Sequence, residues 1–189
     1  MKKKSVVFEC QLTSSEIRNL AKEYIHKNGD DGKALSAGAA IREGNYSREK
    51  LMTIAEWKLE RENGTYHPSI AYISKNTDEE IAEAFEIAVR ARTARVGLGV
   101  LTTLRGIEVK VASAIMTAIY LDRYTVIDVR SLEELGQKQD SPSIDYYLQY
   151  RDACEEIAAE RGVSLRDLDR ALWQKNKNRN LEERGCVAV

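Results

Sequence analysis

Residues 104–118 read LRGIEVKVASAIMTA. Leu104, Arg105, Gly106 and Ile107 have the composition of a tight turn. The glycine permits a backbone conformation that other residues avoid, while the leucine and isoleucine anchor the turn in a core. The run that follows, EVKVASAIMTAIYL, is small and apolar enough to be a helix built for burial. A helix entered through such a turn starts with unpaired N–H groups and the positive end of its dipole, a combination that receives a phosphate. Gly106 with the amides of Ile107, Glu108 and Val109 forms the candidate cradle, and Arg105 adds a cation. Lys110 falls in the first turn of this apolar helix, where burial alone gives no reason for it.

Working outward, Asp128 lies eighteen residues after Lys110 in the stretch TVIDVR, extended and β-branched before helical character resumes at VRSLEELG. A helix from Lys110 to about Leu121 carries the chain roughly 16 Å away, and an extended return over residues 122–127 recovers about 20 Å. Asp128 is therefore able to return beside Lys110. An amine and a carboxylate so placed suit attack at a sugar carbon. The amine is the nucleophile and Schiff-base former; the carboxylate steadies the cationic sugar and assists proton transfer. The positive helix start favours the neutral amine that attack requires. Taken singly, a lysine in a first helical turn is most often a solvated side chain, and an aspartate ahead of a helix is most often a cap. Their order after a hairpin glycine is what makes them candidates together.

LRGIEVKVA resembles, without a gap, the hairpin of the helix–hairpin–helix DNA glycosylases, Leu-Pro-Gly-Val-Gly-x-Lys-Val-Ala, and the 8-oxoguanine glycosylases in particular. On that resemblance the family's lysine falls on Lys110 and its aspartate on Asp128. The match is carried by residues 95–136. It departs from the family at Arg105, which takes the place of a proline, and at Glu108, which takes that of a second glycine. No counterpart of a β-rich N-terminal lobe or of a four-cysteine cluster is apparent. The resemblance implies an all-α, glycosylase-like helical bundle that excises a damaged or modified base from double-stranded DNA, with 8-oxoguanine-like lesions as the substrate class. The implied activity is bifunctional, glycosylase and AP lyase, through a lysine Schiff base; the chemistry needs no cofactor and no catalytic metal, and the hairpin carbonyls leave room for a monovalent or divalent ion.

The remaining sequence is consistent with helices. With two prolines and eleven glycines in 189 residues, and 43% hydrophobic against 31% charged content, the chain suits one compact core or two small lobes and argues against disorder. Residues 1–94 form an N-terminal helical region able to pack with residues 95–189, which hold the hairpin and the C-terminal helices. Thr13-x-x-Glu16 and Thr77-x-x-Glu80 are capping boxes. The first places Ile17, Leu20, Ala21, Tyr24 and Ile25 inward, and the second Ile81, Ala84, Phe85, Ala88 and Val89. SREKLMTIAEWKLER reads as a helix that runs to a break at Asn63-Gly64, whereas ALSAGAAIREGNYS has no clear periodicity. Ser143 and Ser164 open two further helices. The first turns Ile144, Tyr147, Leu148, Cys154 and Ile157 inward.

The net charge of −1 neither demands nor excludes nucleic acid. Arg90, Arg92, Arg95 and Arg105 crowd the approach to the hairpin, as a solvated face or a phosphate-facing one. Trp57, Tyr124 and Trp173 are candidates by type for lining a base pocket, though each also suits packing. The apolar stretch after the basic tip is interrupted at Glu9, too early for a secretory or membrane segment, so a cytoplasmic location, nucleoid-associated in a prokaryote, is expected without membrane contact. Cys10, Cys154 and Cys186 are far apart, and His26 and His67 do not flank them, which reads as reduced thiols rather than a metal site. Two alternatives stand beside the enzyme: a non-catalytic DNA-binding protein that uses the same hairpin, and a helical protein-interaction module.

Overall fold

The computed structural model describes residues 6–24, 31–61 and 63–186. The basic tip, Ile25, His26 and the glycine-acid turn up to residue 30 lie outside them, as does the side chain of Cys186. The described residues form α1 Ser14–Glu23, α2 Gly32–Arg42, α3 Arg48–Leu59, α4 Ser69–Ile73, α5 Asp78–Arg90, α6 Ala94–Leu101, α7 Val109–Ile119, α8 Val129–Glu134, α9 Ile144–Arg161 and α10 Leu165–Cys186. Among these residues β pairing is limited to one isolated bridge between Glu60 and Tyr66. The fold is all-α.

Local sequence explains where helices begin. Thr13 and Thr77 each complete a capping box: the threonine oxygen accepts from the amide three residues on, and the Glu16 or Glu80 carboxylate accepts from the threonine amide. Ser143 and Ser164 cap α9 and α10 by accepting from Tyr146 N at 3.2 Å and Asp167 N at 3.0 Å. Inward positions follow the 3.6-residue period. Ile17, Ile81, Ala84, Phe85, Ala88, Tyr147 and Cys154 are buried, whereas Leu20, Ala21, Tyr24, Val89, Ile144, Leu148 and Ile157 lie half-buried at the margins.

The centre of the core is α7, whose residues Val111 to Ile119 are all buried. Helices α2, α3 and α6 pack against it, α5 packs on α6, and α1 lies along α10, which also touches α8 and α9. The segment without clear periodicity in sequence is α2, and Gly38 supplies the reason. A Cβ there would come within 2.1 Å of the Ala118 carbonyl oxygen and 2.7 Å of the Ala118 Cβ. Small residues let α2 cross α7 at backbone contact, and they blur the amphipathic pattern in doing so.

Two helices stop sooner than their sequences suggest. The third ends at Leu59, because Glu60 turns extended and bridges to Tyr66, so it does not reach the break at Asn63-Gly64. The hairpin helix ends at Ile119, since Tyr120 leaves helical backbone geometry and its hydroxyl donates to Val89 O at 3.0 Å.

Candidate functional site at the hairpin and the Asp128 cleft

The turn between α6 and α7 is built mainly from backbone. Leu104 and Ile107 are buried, and Ile107 N donates to Leu104 O at 3.2 Å. Gly106 has φ +77°, in the left-handed region. It also lies where a Cβ would meet Ser69 O at 2.8 Å and Ile73 Cγ1 at 2.9 Å, so α4 is able to close over the turn. Asn76, buried in the loop after α4, clamps the neighbouring peptide from both sides. Its Oδ1 accepts from Arg105 N at 2.8 Å, and its Nδ2 donates to Arg105 O at 3.1 Å and to Ile73 O at 2.8 Å.

The amides of Gly106, Glu108, Val109 and Lys110 have no acceptor among the described residues. They form the row of donors expected at such a helix start. Ile107 N is occupied, which corrects its expected place in the cradle: its bond to Leu104 O closes the turn. The Glu108 and Arg105 side chains are exposed, one anion and one cation beside these amides. Arg92 and Arg105 lie free of ion pairs among the described residues, whereas Arg90 pairs with Glu86 at 2.7 Å and Arg95 with Asp145.

The return to Asp128 is held by hydroxyl groups. Tyr147 donates to Thr125 O and Tyr150 to Val126 O, each at 3.0 Å, so α9 fixes the extended segment before the aspartate. Ser113 Oγ accepts from Ile127 N at 3.2 Å and donates to Lys110 O at 2.8 Å. This one side chain joins the first turn of α7 to the residue preceding Asp128.

Asp128 caps α8 by accepting from Ser131 N at 2.9 Å through Oδ1, while its Oδ2 receives the Lys58 amine at 3.2 Å. Burial pushes its carboxyl up, but the Lys58 cation and the Ser131 amide outweigh that and hold it below the ordinary value. Lys110 is half-buried, and its amine has no ion-pair or hydrogen-bond partner among the described residues. Lys58, from α3, is thus the lysine bonded to Asp128 in this structure.

Lys58 also lines a cleft with Tyr24, Trp57, Val126, Arg166, Asp169, Arg170 and Trp173. Tyr24 and Trp173 meet edge to face at 5.2 Å, and the Arg166 guanidinium lies 5.7 Å from the ring centres of both Tyr24 and Trp57. Arg166 is buried and paired with both Asp31 and Asp169, and Arg170 adds a 2.8 Å contact to Asp31. Burial pushes the Asp169 carboxyl up to about 6 against the pull of Arg166. The cavity measures about 40 Å³, room for a water molecule, whereas drug-sized ligands occupy roughly 300 to 1,000 Å³.

Of the three aromatic candidates, Trp57 and Trp173 line this cleft. Tyr124 does not: it is buried and packs against Tyr120, the packing role that its sequence context also suits. Lys58, Asp169, Arg166 and Asn76 were not singled out by sequence. Arg166, Asp169, Arg170 and Trp173 do share a helical spacing of three, four and seven that places them on one face, the signal that could have found them.

No protein-family model matches the chain, and no curated protein does. One solved structure is similar, that of the Methanocaldococcus jannaschii 8-oxoguanine glycosylase/lyase in complex with a 15mer DNA containing 8-oxoguanine, at 18% identity over 87% of each chain with a TM-score of 0.43. Among the described residues no helix is long and apolar enough to cross a membrane.

Proposed function

We propose that this chain is a DNA glycosylase with AP-lyase activity, acting on a damaged or modified base of the 8-oxoguanine type in double-stranded DNA. The observation that carries the reading is the Ser113 link, which brings the turn bearing Lys110 to the segment bearing Asp128 beside a hairpin with unpaired amides. The hairpin resemblance in sequence supports the same residues.

In this mechanism the amides of Gly106, Glu108 and Val109 receive a backbone phosphate, with Arg105 and Arg92 adding charge. The target nucleotide leaves the stack. The Lys110 amine attacks C1′ as the glycosidic bond breaks, and the base leaves with the bonding pair and takes up a proton. Loss of a proton from the amine and ring opening give the Schiff base. Asp128 stabilises the developing sugar cation and shuttles protons. Strand scission follows by elimination of the 3′ phosphate. The chemistry needs no cofactor, and the setting is that of a DNA-acting protein, cytoplasmic or nucleoid-associated.

The test is borohydride trapping on a duplex oligonucleotide carrying an abasic site or 8-oxoguanine. Wild type gives a covalent adduct, and Lys110→Gln reduces it by about a thousandfold or more, the scale of loss expected for a nucleophile. Wild type that yields no adduct on the abasic duplex overturns the lyase assignment.

The small cavity and the Lys58 contact favour a second reading, a DNA-binding protein that cuts nothing. It predicts salt-sensitive binding that survives Lys110→Ala, with no adduct.

A further inference from the structure

Asp128 is expected from sequence to serve Lys110, yet the amine bonded to it belongs to Lys58. Lys58 Nζ is 3.2 Å from Asp128 Oδ2, and its side chain is only 11% exposed, on the wall of the aromatic cleft. The other carboxylate oxygen takes the Ser131 amide at 2.9 Å. Asp128 therefore has one oxygen fixed by its own helix and the other fixed by a cation from a helix seventy residues away. We propose that Lys58 is a positioning residue for Asp128: its ammonium holds the carboxylate in place and sets the pH range over which that carboxylate accepts a proton from the Lys110 ammonium. The inference rests on the function proposed above.

Three observations support the assignment. First, a half-buried carboxylate left with only a cap contact would lose its charge readily, so a catalytic base at this position needs a partner cation. Second, Lys58 makes no other ion pair among the described residues, so it is not shared with a competing acid. Third, the groups packed around Asp128 divide by charge. Asp169 on α10 feels Asp128 as a like charge, and both carboxylates act on the buried Tyr150 hydroxyl of α9, whereas Lys58 on α3 is the charge that opposes Asp128. Arg166 is committed to Asp31 and Asp169. Arg130 on α8 reaches Asn176 and the Trp173 ring, and Lys110 on α7 makes no ion pair among the described residues. Among the described residues Lys58 is thus the cation in direct contact with Asp128.

The Lys58 amine is engaged by the Asp128 carboxylate, whereas the Lys110 amine has no partner among the described residues, so the nucleophilic step is left to Lys110. No bond is made or broken at Lys58. When Asp128 accepts a proton from the Lys110 ammonium the Lys58 contact weakens, and it re-forms when the proton passes on.

The experiment has two parts. Carboxyl ¹³C NMR titration of Asp128 in free wild-type, Lys58→Gln and Lys58→Arg protein reads the coupling without DNA. Borohydride trapping on an abasic-site duplex across the pH range reads the reaction. Asp128 titrates below the ordinary carboxylate range in wild type and at higher pH in Lys58→Gln; Lys58→Arg restores it. In trapping, the acid limb of the Lys58→Gln profile moves to higher pH. Adduct formation then falls by about tenfold near about pH 5 while changing little near about pH 8. Lys58→Arg recovers the wild-type limb.

An Asp128 that titrates in the ordinary range in wild type overturns the proposal without recourse to a variant. So does a uniform loss of trapping at every pH in Lys58→Gln, which is what a merely structural role produces. If the NMR shift is present but wild type gives no adduct, the glycosylase reading fails, and with it the catalytic part of the role. The electrostatic hold of Lys58 on Asp128 would remain.

Discussion

The hairpin and the cleft are held together by different physics. At the hairpin the forces are mostly uncharged: a left-handed glycine, two buried aliphatic anchors and an asparagine that satisfies both backbone polar groups of Arg105. In the cleft they are electrostatic and long-range, joining Lys58 of α3 and Arg166, Asp169 and Arg170 of α10 to Asp31 and Asp128, the N-cap residues of α2 and α8. The contrast separates two tasks. A phosphate cradle needs amides fixed in space and indifferent to pH, whereas a reacting centre needs groups whose charge can change. Disturbing the first should therefore cost stability and DNA affinity at all pH values, and disturbing the second should alter pH dependence.

The largest effect on the hairpin comes from Gly106→Ala. A side chain at φ +77° costs about 1 to 2 kcal/mol, and the 2.8 Å approach to Ser69 O adds further strain by forcing α4 away. A total loss of about 2 to 4 kcal/mol by urea unfolding, with weaker DNA binding at every pH, is expected. Next is Asn76→Ala, which leaves the part-buried Arg105 N–H and C=O without their partner. A cost of about 1 to 3 kcal/mol follows, again without a pH slope.

Asp169→Asn has the smallest effect and the opposite character. Because burial raises the folded-state value to about 6 from an ordinary 3.8, the folded protein binds more protons than the unfolded one across that window. The Asp169 contribution therefore makes stability fall as pH rises from about 4 to 6. Asp128, held below its ordinary value, has the reverse sign: its contribution is present above the ordinary carboxylate range and is lost as pH falls through its folded-state value. Removing Asp169 should eliminate the falling component between pH 4 and 6 and leave the Asp128 component, as urea unfolding at a series of pH values reads. If Asp169→Asn leaves the slope unchanged, the electrostatic account of the cleft is wrong.

The same division explains what could be read from sequence. The hairpin was legible because its determinants lie within a few residues: Leu104, Gly106, Ile107 and the apolar run after Lys110. Helix starts at Thr13, Thr77, Ser143 and Ser164 were legible for the same reason. Gly38 was not, since its meaning depends on Ala118 eighty residues away. Lys58 reads in AEWKLER as part of an ordinary polar helical face, and Arg166, Asp169 and Arg170 read as a solvated one. Their burial is a tertiary fact. Asn76 was hidden in a different way, because in KNTDEE it has the look of a simple turn residue before a capping box. The pairing of Asp128 with Lys58 joins residues seventy apart in the chain, which no local pattern encodes.

The account's central claim is that the amine at position 110 carries the covalent chemistry while the one at position 58 serves Asp128. Peptide mapping by mass spectrometry of the borohydride-fixed adduct between wild-type protein and an abasic-site duplex tests it most directly. The account predicts the reduced sugar remnant on Lys110, with Lys58 unmodified. A remnant on Lys58, or on neither lysine, would contradict it.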